Sequence, residues 1–398
     1  MATTYRIPAS YRKRVIRGRK NWWFLGPGGL ARLQDHHLDD EGGLTAAAED
    51  YLRAQGLYAE VPPKVYALTV LTSTDCNLGC GYCFQNLAQD ETGGSRPPRM
   101  PRARLSSATI EQTLDFASRQ MAAVGLDKLH VLLFGGEPLL NPRGCKHLLE
   151  RAADHGLESA SMVSNATLLK PALAAELFEL GLRSVQVTFD GAPAVHDAIR
   201  IRRSGGGTFD AIVENMAAVS DTVPLDWSIR VNVSHHNQAT LDGLIDALAE
   251  RLDPAMCGVY FAWVGDAGVG YTNQMRASGS LADRFFQWQR RATEAGFRVA
   301  RPGASGPCST CSFSDGKYGA VVNADGVLSS CWETAGRAEW RVGTVVDGYL
   351  PAEQTQDRWI SCEDNRRYAS DGEPMTEFND AVDAAFLDYL DETGRLDR

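Results

Sequence analysis

Two hydrophobic periods alternate along the middle of the chain. Short apolar runs such as VYALTVLT at 65–72 predict buried strands, whereas stretches with apolar residues three and four apart, such as 107–124, predict amphipathic helices. Between residues 64 and 265, six predicted strands alternate with helices, which is typical of parallel βαβ units with right-handed crossovers. Because six units are too few for a closed eight-stranded barrel, the pattern predicts an α/β fold with a partial (β/α)6 TIM-like barrel.

The segments on either side of this repeat follow different patterns. The chain begins with a basic stretch, an aromatic and glycine-rich stretch and one predicted helix, and then two consecutive prolines interrupt it. Beyond the repeat come a glycine-rich stretch, a helix, a predicted β-hairpin with Asp325-Gly326 at its turn, and an acidic amphipathic helix. We therefore predict an N-terminal segment at 1–62, the partial barrel at 63–265 and a small hairpin and helix domain at 266–398.

Charge and hydropathy argue against several kinds of partner. The chain has 398 residues and a formal net charge of −10, so its surface would repel nucleic-acid phosphates and we expect no nucleic-acid partner. No apolar run approaches the length that crosses a bilayer, and the start lacks the apolar core of a secretory signal. We accordingly expect a cytoplasmic protein with no membrane partner. The basic residues between Arg6 and Lys20 predict either a solvated arm or, less favoured, a docking surface.

Nine cysteines without an export signal indicate a reducing compartment, where such patterns more often bind metal than form disulfides. Cys76, Cys80 and Cys83 form a C-x3-C-x2-C triplet in a loop just after the first barrel strand. Zinc favours four ligands, and the loop contains no fourth Cys or His. Three thiolates can hold a 4Fe–4S cubane and leave one iron open. The triplet therefore favours a cluster, with structural zinc and a distant fourth ligand as the alternative.

A second, looser group contains four cysteines with C-x2-C-x19-C-x30-C spacing. Its members are Cys308, Cys311, Cys331 and Cys362. Four thiolates suit either tetrahedral zinc or a fully ligated iron–sulfur cluster. Taken by itself, this group favours zinc.

The cysteine triplet and three later motifs resemble the radical S-adenosylmethionine (SAM) superfamily. The motifs are FGGEP at 134–138, VSNAT at 163–167 and SIRVNV at 228–233. The resemblance implies that SAM binds the open iron of the cluster and that glycines let the backbone approach it closely. It assigns cofactor contacts to Tyr82 at the adenine, to Gly135, Gly136 and Glu137 at the methionyl amino group, to Ser164 and Asn165 at the ribose, and to Arg230 near the cofactor carboxylate or the cluster. Ordinary polar residues at strand ends remain the alternative for Ser164, Asn165 and Arg230.

The region around Cys331 resembles the SPASM and twitch extensions of that superfamily, in which a cysteine precedes a hairpin. A full SPASM domain has seven cysteines, and the compact run that completes them is absent here. The resemblance therefore implies one auxiliary 4Fe–4S cluster of the reduced twitch type, held by the second cysteine group. Glu333 is near the position where sulfatase maturases carry a proton-accepting acid, and is a candidate catalytic base or a surface carboxylate.

Residues 186–209 resemble a segment shared by sulfatase maturases and maturases of ribosomally made peptides. The resemblance implies that a 5′-deoxyadenosyl radical abstracts hydrogen from a residue of a precursor peptide, giving a cross-link or another C–H modification. It also implies an electron donor such as flavodoxin or ferredoxin. The N-terminal segment is expected to be either a vestigial peptide-recognition element or a fragment that covers the barrel mouth. The alternatives are a radical dehydrogenase or epimerase of a small molecule such as an antibiotic sugar, and a non-catalytic iron–sulfur protein.

Overall fold

The computed structural model describes residues 14–60, 62–83, 85, 100–265, 273–304, 316–359 and 372–396. The strands in this part are β1 (Arg14–Arg17), β2 (Trp22–Gly26), β3 (Gly29–Leu33), β4 (Tyr66–Ser73), β5 (Leu129–Gly135), β6 (Leu157–Val163), β7 (Leu182–Phe189), β8 (Asp226–Val233), β9 (Cys257–Trp263), β10 (Gly319–Val322), β11 (Val327–Ser329), β12 (Arg341–Thr344) and β13 (Gly348–Tyr349). The α-helices are α1 (Ala46–Ala54), α2 (Ser107–Val124), α3 (Pro142–Ala153), α4 (Pro171–Glu179), α5 (Pro193–Ile199), α6 (Phe209–Ser220), α7 (Leu241–Arg251), α8 (Gly279–Glu294), α9 (Ala352–Thr355) and α10 (Gly372–Glu392).

The six predicted barrel strands are β4 to β9, and each pairs in parallel with the next in chain order. They belong to a sheet of ten described strands with the order β13-β12-β11-β10-β4-β5-β6-β7-β8-β9. In the described residues the two end strands, β13 and β9, do not pair, so the sheet stays open. The predicted α/β fold with a partial barrel is confirmed.

The two faces of the barrel strands differ in burial because side chains alternate along a strand. On β7, Val185, Val187 and Phe189 belong to the large apolar core shared with the helices. The residues between them, Gln186 and Thr188, are half-buried and point to the other side. We call this concave side the inner face. On β4 and β5 it includes the apolar Leu71, Leu132 and Phe134, whereas on β7 and β8 it carries polar residues such as Gln186 and Ser228.

The predicted C-terminal hairpin is also present, and it extends the barrel sheet. β10 pairs in parallel with β4 and antiparallel with β11. Gly326 closes the turn with a φ of +84°, a left-handed conformation that favours glycine, and its N–H donates to Asn323 O at 2.9 Å. The hairpin thereby brings Cys331, two residues beyond β11, to the edge of the barrel.

The N-terminal segment forms the antiparallel sheet β1-β2-β3 and helix α1, and packs against α10. The β2–β3 hairpin was not predicted from the sequence. The described part of the basic run is paired within the chain: Arg14 contacts Asp383 at 2.8 Å and Lys20 contacts Glu392 at 2.7 Å. No helix in the described part of the chain is both long and apolar enough to span a membrane.

Candidate functional site

The loop with the first cysteine group follows β4 and is held by the segment after α5. Gly79 N donates to Ile201 O at 2.9 Å, and Arg203 N donates to Asn77 O at 3.0 Å. These contacts form on either side of a β-bridge between Leu78 and residue 202. The conformation of the loop therefore depends on residues more than a hundred positions later in the chain.

The thiols of Cys76, Cys80 and Cys83 are half-buried in this loop. Burial raises the pKa of Cys76 to about 12 and that of Cys80 to about 11, with Glu137 adding to the first shift and Arg200 opposing the second. Within the described residues, no group of three or more His, Cys, Asp or Glu side chains is arranged to hold a single metal ion. Three thiols in one loop can hold a 4Fe–4S cluster and leave one iron open, and the irons would displace the thiol protons.

Hydrogen bonds connect Cys76 to the end of β6. Leu78 N donates to Cys76 Sγ at 3.4 Å, and Asn165 Nδ2 lies 3.7 Å from the same sulfur. Asn165 Nδ2 also donates to Asn77 Oδ1 at 2.8 Å, and Asn77 Nδ2 donates to Thr167 Oγ1 at 2.9 Å. Donors of this kind stabilise a thiolate and tune a bound cluster.

The glycines of FGGEP bring the ends of β4 and β5 together. Gly135 has a φ of +137°, and a Cβ atom there would lie 2.1 Å from Ser73 O, so no other residue fits without displacing the backbone. Gly136 N donates to the same Ser73 oxygen at 2.9 Å. The two glycines are half-buried and lie at the carboxyl edge of the sheet, where β5 ends beside β4.

The carboxylate of Glu137 is fully buried and joins β5 to β6. It accepts hydrogen bonds from Ser164 Oγ at 2.8 Å, Asn165 N at 2.7 Å and Leu139 N at 3.1 Å. Burial raises the pKa of Glu137, and these three donors oppose the shift. The structure thus brings Glu137, Ser164 and Asn165 into one network, while their assigned contacts with the methionyl and ribose groups stay predictions.

Tyr82, next to the third cysteine, belongs to a charged network at the ends of β7 and β8. Its hydroxyl donates to Asp190 Oδ2 at 2.6 Å and accepts from Arg200 Nη1 at 2.7 Å and Asn232 Nδ2 at 3.1 Å. The side chains of Arg200 and Asp190 are only 11% and 2% exposed, and they form an ion pair at 3.5 Å. Burial raises the pKa of Tyr82 well above its ordinary value, and it raises the pKa of Asp190 against the effect of Arg200.

His196 holds the segment between Asp190 and Arg200 in place. Its Nδ1 accepts from Asp190 N at 3.3 Å, and its Nε2 lies 3.0 Å from Thr208 Oγ1, which itself donates to Arg200 O. Nε2 is therefore the protonated nitrogen. Burial lowers the pKa of His196 to about 3, so the ring is neutral at pH 7.

The remaining assigned residues occupy two other places. Arg230 is on the inner face of β8, where its Nε donates to Asn232 Oδ1 at 2.7 Å. Glu333 is half-buried in a turn after Cys331, and the neighbouring Trp332 ring stacks on Phe134 of β5 at 5.5 Å. Cys331 is buried, whereas the other three members of its group, Cys308, Cys311 and Cys362, lie outside the described residues. The auxiliary cluster accordingly stays a prediction.

Sequence reasoning missed five residues that build this site, although two of them had a usable signal. Asp190 directly follows β7 and Asn232 is near the end of β8, and the carboxyl ends of parallel strands are where active sites form. Neither Arg200 nor the pair Asn77 and Thr167 has such a signal. Arg200 belongs to a basic run that is indistinguishable in sequence from a solvated surface.

Residues 70–248 match the family model of the radical SAM superfamily. The chain therefore contains a radical SAM domain, as the cysteine triplet and its accompanying motifs predicted. Enzymes with this domain use S-adenosylmethionine and a 4Fe–4S cluster.

Curated relatives and solved structures agree with this domain. The chain is 24% identical over 225 residues to the Fe-coproporphyrin III synthase of Methanosarcina barkeri, covering 56% of this chain and 51% of that protein. It is 27% identical over 218 residues to the PqqA peptide cyclase of Rhodopseudomonas palustris, covering 53% and 52%. The structure of native anSMEcpe with bound AdoMet and Kp18Cys peptide superposes with a TM-score of 0.63 at 16% identity, covering 83% of this chain and 100% of that one. The chain thus spans about half the length of these two curated relatives, and the structural likeness shows the fold.

Proposed function

We propose that the chain is a radical SAM enzyme that takes a hydrogen atom from a residue of a ribosomally made peptide, giving a cross-link or another C–H modification. When bound, the cluster and SAM supply the 5′-deoxyadenosyl radical that does this. The observation that carries the proposal is the cysteine loop, whose three thiols and sulfur-directed donors suit a cluster at the carboxyl edge of a parallel sheet. Cys76, Cys80 and Cys83 would hold that cluster.

The surrounding residues would hold the cofactor in place. The half-buried backbone of Gly135 and Gly136, which carries no Cβ, would accommodate the methionyl group, with Glu137 fixing the position of the strand ends. Tyr82 is kept in one orientation by three partners of its hydroxyl, which suits a ring that packs on the adenine. Ser164 and Asn165 would reach the ribose.

Two observations support a peptide as the substrate. The peptide-maturase-like segment 186–209 supplies Asp190 and Arg200 to the site, and the PqqA peptide cyclase is among the relatives. The likeness to the Fe-coproporphyrin III synthase favours the second candidate, a radical enzyme that acts on a small molecule. We also propose a flavodoxin or ferredoxin as the electron donor, because reductive cleavage of SAM needs an electron. The proposed location is the cytoplasm.

The second cysteine group would hold one auxiliary 4Fe–4S cluster, and Glu333 would act as the base that removes a substrate proton. Its turn packs through Trp332 against the end of β5, next to the proposed methionyl site. Replacing Glu333 with Gln should preserve cofactor cleavage and reduce product formation by about 100-fold or more. Glu339→Gln, an exposed glutamate six residues later, is the matched control. Unchanged product formation in Glu333→Gln would remove this role.

The function is tested by anaerobic incubation of the reconstituted enzyme with SAM, a reductant and each candidate peptide found in short reading frames near its gene. We expect 5′-deoxyadenosine together with a peptide that has lost two hydrogens for each bond formed, as a cross-link requires. Deoxyadenosine without any change in the peptide would favour the small-molecule candidate. If neither deoxyadenosine nor a modified peptide formed in the iron-loaded enzyme, a non-catalytic iron–sulfur protein would be the better interpretation.

A further inference from the structure

Arg230 carries a charge on the inner face of the barrel that the described residues do not neutralise. Its side chain is half-buried, and its Nε donates to the neutral Asn232 Oδ1 at 2.7 Å. No carboxylate among the described residues lies within ion-pair distance, and its two terminal nitrogens form no hydrogen bond with any of them. A half-buried guanidinium with free donors and no carboxylate partner is suited to bind an anionic ligand.

The neighbours of Arg230 are uncharged groups suited to the same ligand. Thr188 on β7 and Tyr260 on β9 are its register partners, and the guanidinium carbon lies 5.8 Å from the Tyr260 ring centroid. Tyr260 donates its hydroxyl to Gln186 Oε1 at 2.7 Å. This bond leaves the Gln186 amide N–H groups directed away from Tyr260, with no hydrogen bond to the described residues. We call Arg230, Gln186 and Tyr260 the inner-face patch.

We propose that the inner-face patch binds a substrate carboxylate, with the Arg230 guanidinium as its ion-pair partner and the Gln186 amide as a second donor. This inference rests on the proposed function and extends it, because it makes the substrate a peptide with an Asp or Glu side chain near the modified residue. Arginine suits this role because its planar fork matches the two oxygens of a carboxylate. The flanking Tyr260 ring limits access of water to the pair.

The resemblance associates Arg230 with the carboxylate of SAM, but the sheet order separates the two places. The amino and carboxyl groups of methionine share one carbon atom, so both lie beside β5 if the Gly135–Glu137 motif holds the amino group. Arg230 is on β8, three strands further along the sheet. Asn232, the hydrogen-bond partner of Arg230, also donates to Tyr82, so the guanidinium lies between the proposed adenine site and the rest of the inner face. We assign it to the substrate, and SAM binding by Arg230 variants tests this assignment.

The test measures binding and does not depend on turnover. The cluster-loaded enzyme with SAM is titrated by calorimetry with N-acetylglutamate amide and with its neutral isostere N-acetylglutamine amide. We expect the wild type to bind the glutamate compound at least ~10-fold more tightly, which is the typical effect of one charge-assisted pair. Arg230→Gln should abolish this preference and Arg230→Lys should keep part of it. Arg251→Gln, which removes an exposed pair with Asp210, should leave it unchanged.

The same variants separate the two sources of the carboxylate. If Arg230 holds the substrate, the Kd for SAM in Arg230→Gln stays within ~2-fold of the wild type. A SAM Kd raised ~10-fold or more, or equal binding of the two amides by the wild type, would overturn the proposal. Failure of the enzyme to modify any peptide would contradict the proposed function, whereas the amide titration would still decide the role of Arg230.

Discussion

The cysteine loop is supported on two sides by contacts of different character. On the β5–β6 side, Asn77 and Asn165 connect it through neutral amides to Glu137, whose charge is balanced by three N–H and O–H donors. On the β7–β8 side, Tyr82 connects it to the ion pair of Asp190 and Arg200. One side distributes its stabilisation over many modest hydrogen bonds, and the other concentrates it in a single buried cation.

This difference predicts unequal sensitivity to substitution. A typical hydrogen bond contributes about 1 kcal/mol net, so the neutral side should lose stability in small steps. Removing one partner of a buried ion pair leaves an uncompensated charge and costs about 3–5 kcal/mol. A single substitution on the charged side should therefore lower the free energy of unfolding by a large amount, although both sides position the same loop.

The largest effect, a loss of cofactor cleavage, is expected when the three cysteines of the loop are replaced and its two supporting networks are left intact. The triple variant Cys76→Ala, Cys80→Ala, Cys83→Ala should form no 5′-deoxyadenosine above background, because no ligand for the first cluster is left. Iron per chain should fall from roughly eight to roughly four if a second cubane is present. Chromatography of the nucleoside and iron analysis measure the two outcomes. Cys257→Ala, in the core of the barrel, is the control. Normal cofactor cleavage by the triple variant would contradict the central proposal.

The charged side is tested by Arg200→Met, which leaves Asp190 buried without its cation. We expect the free energy of unfolding to fall by about 3–5 kcal/mol, measured by urea denaturation of the iron-free protein under reducing conditions. Adding Asp190→Asn should recover part of that loss. Arg251→Met, which breaks an exposed pair with Asp210, should cost less than about 1 kcal/mol. An equal decrease in the free energy of unfolding in the two arginine variants would contradict the predicted larger contribution of the buried ion pair.

On the neutral side, Glu137→Gln should cost less, about 2–3 kcal/mol. The amide keeps the shape of the carboxylate but directs an NH₂ group at one of the donors Ser164 and Asn165. The same denaturation assay applies, with Glu158→Gln on the exposed edge of β6 as the control. A loss larger than that of Arg200→Met would reverse the comparison.

The smallest expected effect depends on pH and concerns His196. Its pKa is about 3 in the folded chain and about 6.5 when unfolded, so only the unfolded state gains a proton as the pH falls below 6.5. Folding stability should therefore decrease between pH 7.5 and 5.5, by about 1 kcal/mol from this residue. His196→Asn lacks this contribution, so the stability gap between the variant and the wild type should narrow by that amount. A constant gap in denaturation curves at the two pH values would show that His196 titrates normally.

The two sides of the cysteine loop also differ in how well they could be predicted from the sequence. Periodicity located all six barrel strands, and short motifs located the cysteine loop and Glu137, because local sequence determines strands and tight glycine turns. Arg200 could not be identified, because it approaches Tyr82 from 118 positions away. Such contacts depend on the curvature of the whole sheet and leave no local pattern. The β2–β3 hairpin was missed for a related reason, since its buried strands are covered by a helix from the other end of the chain.

That covering has a consequence for synthesis on the ribosome. Trp23 Nε1 donates to Asp388 Oδ1 at 3.0 Å, a contact between residues separated by 365 positions. At about 5–20 residues per second, the partner of Trp23 is made roughly 20–70 s later. During that interval the apolar face of the N-terminal sheet has no α10 to cover it, although the barrel strands are already emerging. A nascent chain of this protein should therefore depend on chaperones at its N-terminal sheet until the last helix is released.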